Sequence, residues 1–412
     1  MINFEEFALE NGLKVIVHND PSTPVVAVNI LYDVGARDEN ESQTGFAHLF
    51  EHLMFGGSIN IPNYDEPLQL AGGENNAYTT NDFTNYYIQI PKENIETAFW
   101  LESDRMLSLA FNEKSLDVQK KVVIEEFREH YINKPYGDAW KHLRALSYIQ
   151  HPYKWMTIGK ELSHIEDAQL EDVKAFFKKY YNPSNAIMCI AGNITTEEVK
   201  PMVEKWFADI PKGTIYQRNL PQESKQKAAR KLIVYEDVPL NAIYKSWHIG
   251  DRLNKEYHIV DIITEILGTG KTSRLHQILV KELQLFSHLN CYHTGSLEAG
   301  MLVIEGKIVE GVGVIEADNA ITASLSELME EGITEVELEK AINRIESVVT
   351  FEDMNLLARA NNLAYYKLLG DPNLMNTELQ QYESFTTKDI KETIQHIFVI
   401  ENSNTLYYLK KK

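Results

Sequence analysis

Two cysteines in 412 residues are too few for a disulfide framework. Cys189 and Cys291 each lie in an apolar stretch, Ile187-Met188-Cys189-Ile190 and Leu289-Asn290-Cys291-Tyr292, and read as buried free thiols. Neither has zinc-ribbon spacing. Long hydrophobic runs are also missing, so no segment reads as a membrane span. The N-terminus, Met1-Ile2-Asn3-Phe4-Glu5-Glu6, lacks the basic start and apolar run of a secretory leader. A cytoplasmic protein is expected, or a periplasmic one if a leader has been removed. Positive charge is scarce as well: 40 Lys and Arg stand against 60 Asp and Glu, for a formal charge of −20. Repulsion from phosphate then argues against a nucleic-acid partner. What remains, at 44% hydrophobic and 24% charged, is an ordinary globular composition with a packed core. The length allows two or three domains.

The chain opens with strand patterning. Leu13 to His18 alternates and ends in the turn Asn19-Asp20-Pro21, and Val25 to Tyr32 reads as a buried strand. Gly45 leads into an apolar helix over about 46–55, closed by Gly56-Gly57. A hairpin arm is expected over 79–90, and long helices over 95–109 and 113–131. Ala186 to Ala191 reads as another strand. The stretch 211–230 holds Pro211, Gly213 and Pro221 among Gln, Lys, Glu and Ser, which is a linker composition. Beyond it the opening pattern returns: strands at 231–239 and 242–249, then an apolar helix over 257–267 closed by Gly268-Thr269-Gly270. Domains are expected at 1–212 and 230–412, joined by a linker at 213–229.

The two halves differ in one respect that carries chemistry. The first helix holds His48-Leu49-Phe50-Glu51-His52, whereas the second holds Val260-Asp261-Ile262-Ile263-Thr264-Glu265 and no histidine pair. Residues four apart share a helix face, so His48 and His52 can direct two imidazoles at one ion. Zn2+ accepts such ligands, and a catalytic site adds a third protein ligand and a water. Glu51 lies beside that face, suited to general-base work on the water. Two core histidines with satisfied hydrogen bonds are the bland alternative. The third ligand must come from elsewhere, and the helix after Asp117 offers Glu125, Glu126 and Glu129, among which composition does not choose. The phosphate-loop look of Gly268-Thr269-Gly270-Lys271-Thr272 is discounted, because Glu265 stands where a Walker motif needs glycine.

These residues resemble the pitrilysin-like inverzincin zinc metallopeptidases, the family of mitochondrial processing peptidase and insulin-degrading enzyme. The resemblance covers nearly the whole chain and is strongest over 1–195. It rests on Asn11-Gly12-Leu13, the His48–His52 motif, Gly72-Gly73-Glu74-Asn75-Asn76-Ala77-Tyr78-Thr79, Val122 to Glu126, His151-Pro152-Tyr153 with Ile158-Gly159, and Tyr181-Asn182-Pro183-Ser184-Asn185. It implies an α+β fold of two similar halves, each a mostly antiparallel sheet with helices packed on one side. It makes Glu126 the third zinc ligand, with Glu129 as fallback. It also assigns Asn76 and Ala77 to the segment that holds the substrate backbone by strand addition.

Two departures stand out. Gln119 occupies the position of an auxiliary glutamate, seven residues before Glu126, and an amide cannot ionise. Val280 and Ser287 occupy the positions of an arginine–tyrosine pair that binds substrate in active members. The resemblance therefore implies a zinc endopeptidase acting on peptides or unfolded segments in an enclosed chamber. A dimer is expected, with a related zinc-less subunit supplying the pair. A homodimer or monomer using Lys281 or Tyr292 is the bland alternative, and a non-catalytic scaffold subunit of the same fold is the rival reading.

Overall fold

The computed structural model describes residues 1–411. In chain order the first elements are β1 (Glu5–Ala8), β2 (Lys14–Asn19), β3 (Val25–Tyr32), α1 (Phe46–Leu53), α2 (Asp65–Leu70), β4 (Glu74–Thr79), β5 (Thr84–Pro91), α3 (Ile95–Leu107), α4 (Glu113–Phe127) and β6 (Ala186–Gly192). The later strands are β7 (Arg230–Glu236), β8 (Ala242–His248), β9 (Phe286–His293), β10 (Met301–Ile308) and β11 (Ser403–Lys410). The expected helix over 113–131 is α4 only as far as Phe127, with Arg128–Ile132 forming a wider π-turn.

The strands form two sheets, ordered β1-β2-β6-β3-β5-β4 and β7-β11-β8-β10-β9. Apart from β1, the two orders correspond strand for strand. In each, the first strand of the repeat pairs in parallel with the last, β2 with β6 and β7 with β11, and the other pairings are antiparallel. The fold is thus α+β, with two similar halves. The apolar run of β3 is buried at every position after Val25, as a central strand covered on both faces must be. β4 alternates exposed and half-buried residues and lies at the sheet's end, with pairing on one side.

The compact units are not the two linear halves. One comprises 1–127, 155–220 and 349–377; the other comprises 128–154, 221–348 and 378–412. The expected division at 213–229 is therefore crossed by two exchanged segments. In the first unit the helix Leu356–Leu368 sets Ala360, Leu363 and Ala364 against Ile16, Ala27, Leu31, Ile187 and Ala191 of the sheet. In the second unit the helix Ala139–Ser147 sets Ala139 and Leu143 against Ala242, Tyr244, Val303 and Leu406. Each half of the sequence so donates one helix to the sheet of the other half.

The stretch 211–229 has no regular structure but is pinned near its middle, at Arg218 and Glu223. Within the first unit, Arg218 is paired to Asp33 and to the buried Asp38. Within the second, Glu223 accepts hydrogen bonds from the amides of Ile149, Gln150 and His151. Both cysteines are free and buried. Among the described residues, no helix is long and apolar enough to cross a membrane.

Candidate metal centre

The motif helix owes its orientation to the residues between its polar ones. Leu49 and Phe50 are fully buried. The Phe50 ring stacks on Phe176 and Tyr181, at centroid distances of 5.1 and 4.9 Å. With that face committed to the core, His48, Glu51 and His52 emerge on the other side. The imidazole side chains keep 18% and 20% of their surface exposed, enough for solvent to reach them.

The last turn of α4 brings Glu126 to the same place. Its Oε2 lies 3.6 Å from His48 Nε2 and 3.4 Å from His52 Nε2. Among the described residues, His48, His52 and Glu126 are the one group of three such side chains whose ligand atoms converge, all within 4.8 Å of one another. The two Glu126–histidine distances suit zinc. A tetrahedral ion with bonds of about 2.0–2.2 Å has ligand–ligand edges of about 3.3–3.6 Å. The donor set, two imidazole nitrogens and one carboxylate, leaves a fourth position for water. Neither Glu125 nor Glu129 belongs to the group: both are exposed, and Glu129 lies in the π-turn beyond α4.

Electrostatics favour the same chemistry. Burial, helped by the neighbouring His52, pushes His48 down to about 4, so its imidazole is neutral near pH 7 and has no proton to lose before binding a metal. Burial raises the Glu51 carboxyl above its ordinary value, while a hydrogen bond from Thr79 opposes the rise. Thr79 Oγ1 donates to Glu51 Oε2 at 2.6 Å. Thr79 is the last residue of β4, so the edge strand and the motif helix meet at the carboxylate. Nothing in the spacing of Thr79 marks this role, because the contact joins residues 28 apart in the chain.

Asn76 and Ala77 lie near the middle of β4, opposite Tyr87 and Tyr86. The Asn76 side-chain oxygen accepts from the Ala77 amide. Gln119 is half-buried on α4, two turns before Glu126. In the second unit the corresponding helix, Lys255–Gly268, carries Asp261, whose carboxylate is taken up by His293 and the Tyr382 hydroxyl, each at 2.6 Å. The Lys255–Gly268 helix ends at the Gly268 turn, where Lys340 donates to Thr272 Oγ1. Val280 packs against the second unit's core, and Ser287 Oγ donates to the Lys307 carbonyl. The Tyr292 hydroxyl donates to Glu305.

Fold and site together define a protein of two duplicated α+β halves, one of which carries a histidine–histidine–glutamate cluster on a His-x-x-Glu-His helix. Residues 14–159 match the family described as Insulinase (Peptidase family M16), and residues 167–345 match the Peptidase M16 inactive domain. The chain belongs to peptidase family M16, in its short two-domain form. It is 28% identical to the zinc protease PqqE of Helicobacter pylori, over 98% of this chain and 92% of that protein. The beta subunit of the mitochondrial-processing peptidase of Saccharomyces cerevisiae is 28% identical over 50% of this chain and 44% of its own length. The crystal structure of a protease from Helicobacter pylori superposes with a TM-score of 0.92 at 26% identity, covering 99% of this chain and 100% of that one.

Proposed function

We propose that the chain is a zinc endopeptidase subunit that hydrolyses peptides and unfolded segments. The observation that carries this reading is the convergence of His48 Nε2, His52 Nε2 and a Glu126 oxygen at zinc-like spacing. His48, His52 and Glu126 would hold the ion. When bound, zinc would acidify a water and polarise the scissile carbonyl. Glu51 takes the proton of the attacking water and returns it to the nitrogen of the departing amine. Thr79 occupies Glu51 Oε2 and leaves Oε1 for that proton. The substrate adds to the free edge of β4 as an extended strand, with Asn76 and Ala77 at its centre.

The chain works with a related, zinc-less subunit, and the chamber enclosing the substrate forms with that partner. Val280 and Ser287 support this part of the reading, because neither offers the cation or phenol that active relatives direct at the substrate. The same two residues favour a second reading, a non-catalytic scaffold subunit that keeps the fold. One experiment separates them: peptide cleavage by the purified chain alone and with a co-expressed relative that carries the arginine–tyrosine pair. A sharp rise on mixing is expected. Full activity from this chain alone would sink the partner, and zinc-loaded complexes without cleavage would favour the scaffold.

A further inference from the structure

α1 begins at a glycine that cannot cap it. Gly45 has φ +88°, in the left-handed region, and a Cβ there would sit 2.6 Å from the Ile158 carbonyl oxygen and 2.9 Å from Ile165 Cδ1. Glycine is thus required, and the side-chain oxygen that normally satisfies the first helical amides is lost. Glu39, six residues upstream, does the work instead. Its Oε2 accepts from the Gly45 amide at 2.9 Å and its Oε1 from the Ala47 amide at 2.8 Å. Glu39 is buried, and burial pushes its carboxyl up to about 8 against the opposing pull of those amides. The loop that bears it is itself held: Trp155 Nε1 donates to the Ala36 carbonyl, and Arg218 pairs with Asp38.

Ala47 immediately precedes His48. Metal-bound histidines usually have their second nitrogen hydrogen-bonded to an orienting group. His48 Nδ1 is buried and has no hydrogen-bond partner among the described residues. The aim of this imidazole therefore depends on the helical turn that carries it. We propose that Glu39 is a positioning residue for the metal centre: the two oxygens of its carboxyl group fix the first turn of α1 and so substitute, through the backbone, for the missing orienting group of His48. This inference rests on the zinc reading, and its first readout, amide exchange, does not need the metal.

The test uses the full chain as wild type, Glu39→Gln and Glu39→Ala, with Leu325→Ala in the other unit's core as a stability control. Hydrogen exchange of the metal-free protein reads the Gly45 and Ala47 amides. Zinc affinity is read by competition with a chelator. Both Glu39 variants are expected to exchange faster at these amides, and Glu39→Ala to bind zinc about tenfold more weakly or worse, the scale of a lost orienting group. Leu325→Ala is expected to lower the melting temperature and leave both readouts unchanged. If Glu39→Ala does not fold, Glu39→Gln decides, with a smaller loss in the same direction. Exchange as slow as wild type, or a folded variant with undiminished zinc affinity, overturns the proposal. Absence of zinc from the wild type would instead refute the metal reading, and the exchange data would still judge Glu39.

Discussion

At the scale of single residues, the motif divides into two jobs. Leu49 and Phe50 anchor the helix in the core, and that anchoring leaves His48, Glu51 and His52 on the open face, where the proposed chemistry needs them. The polar half of this division is written in the spacing of five residues, since a helix converts spacing into direction. The choice of Glu126 over Glu125 and Glu129 is not, because it depends on where α4 ends and how it lies on α1. The Thr79 contact was beyond reach of the sequence for the same reason. Removing the Glu51 carboxylate by Glu51→Gln should cut kcat about 10²–10⁴-fold with zinc retained. A drop that tracks metal loss instead would assign Glu51 to binding rather than proton transfer. Thr79→Val should lower kcat less and shift the acid limb of the pH profile, since it frees an oxygen of the base.

His48 also makes a prediction for the metal-free protein. Its imidazole is held near 4 in the folded chain against 6.5 as an ordinary histidine. The unfolded chain then binds more protons than the folded one between these values. Stability associated with His48 is full above about pH 6.5 and is lost as pH falls towards 4. Denaturant titrations of the metal-free wild type and of His48→Gln, at pH 7 and pH 4.5, should show a smaller acid loss in the variant. Equal losses would mean that the ring is not buried as described.

At the scale of elements, most strands and the motif helix were legible because their signals are local. The buried run of β3 coincides with its apolar stretch, Val25 to Tyr32. Only the later strand of the hairpin is legible: β4 begins at Glu74, in a polar segment whose exposed alternation is that of an edge strand. That open edge is what the proposed substrate pairing needs. Peptides N-methylated on the amides that would pair with β4 should be poor substrates through KM, with kcat less affected. Unchanged KM across a scan of N-methyl positions would remove strand addition from the account.

At the scale of the molecule, the duplication was visible as a returning pattern, and the matching strand orders are its structural form. The exchange of helices was invisible, because no local signal tells a helix which sheet it will cover. In the Leu356–Leu368 helix, nothing local marks Ala360 and Leu363 as the residues that meet Ile16 and Ile187. The exchange predicts that neither half folds alone. A fragment ending near residue 212 lacks the helix that buries Ile16, Ala27, Leu31 and Ile187, and should aggregate unless co-expressed with 213–412. A soluble, cooperatively unfolding 1–212 would contradict this.

The central claim is that one catalytic zinc is held by α1 and α4, and metal content tests it most directly. Purified protein, exhaustively dialysed and analysed by elemental mass spectrometry, should carry about one zinc per chain in wild type and essentially none in His52→Ala, with Glu126→Ala similarly depleted and Glu129→Ala unaffected. Wild-type protein without stoichiometric zinc after zinc loading, or a Glu129→Ala variant that loses the metal while Glu126→Ala keeps it, would contradict the account.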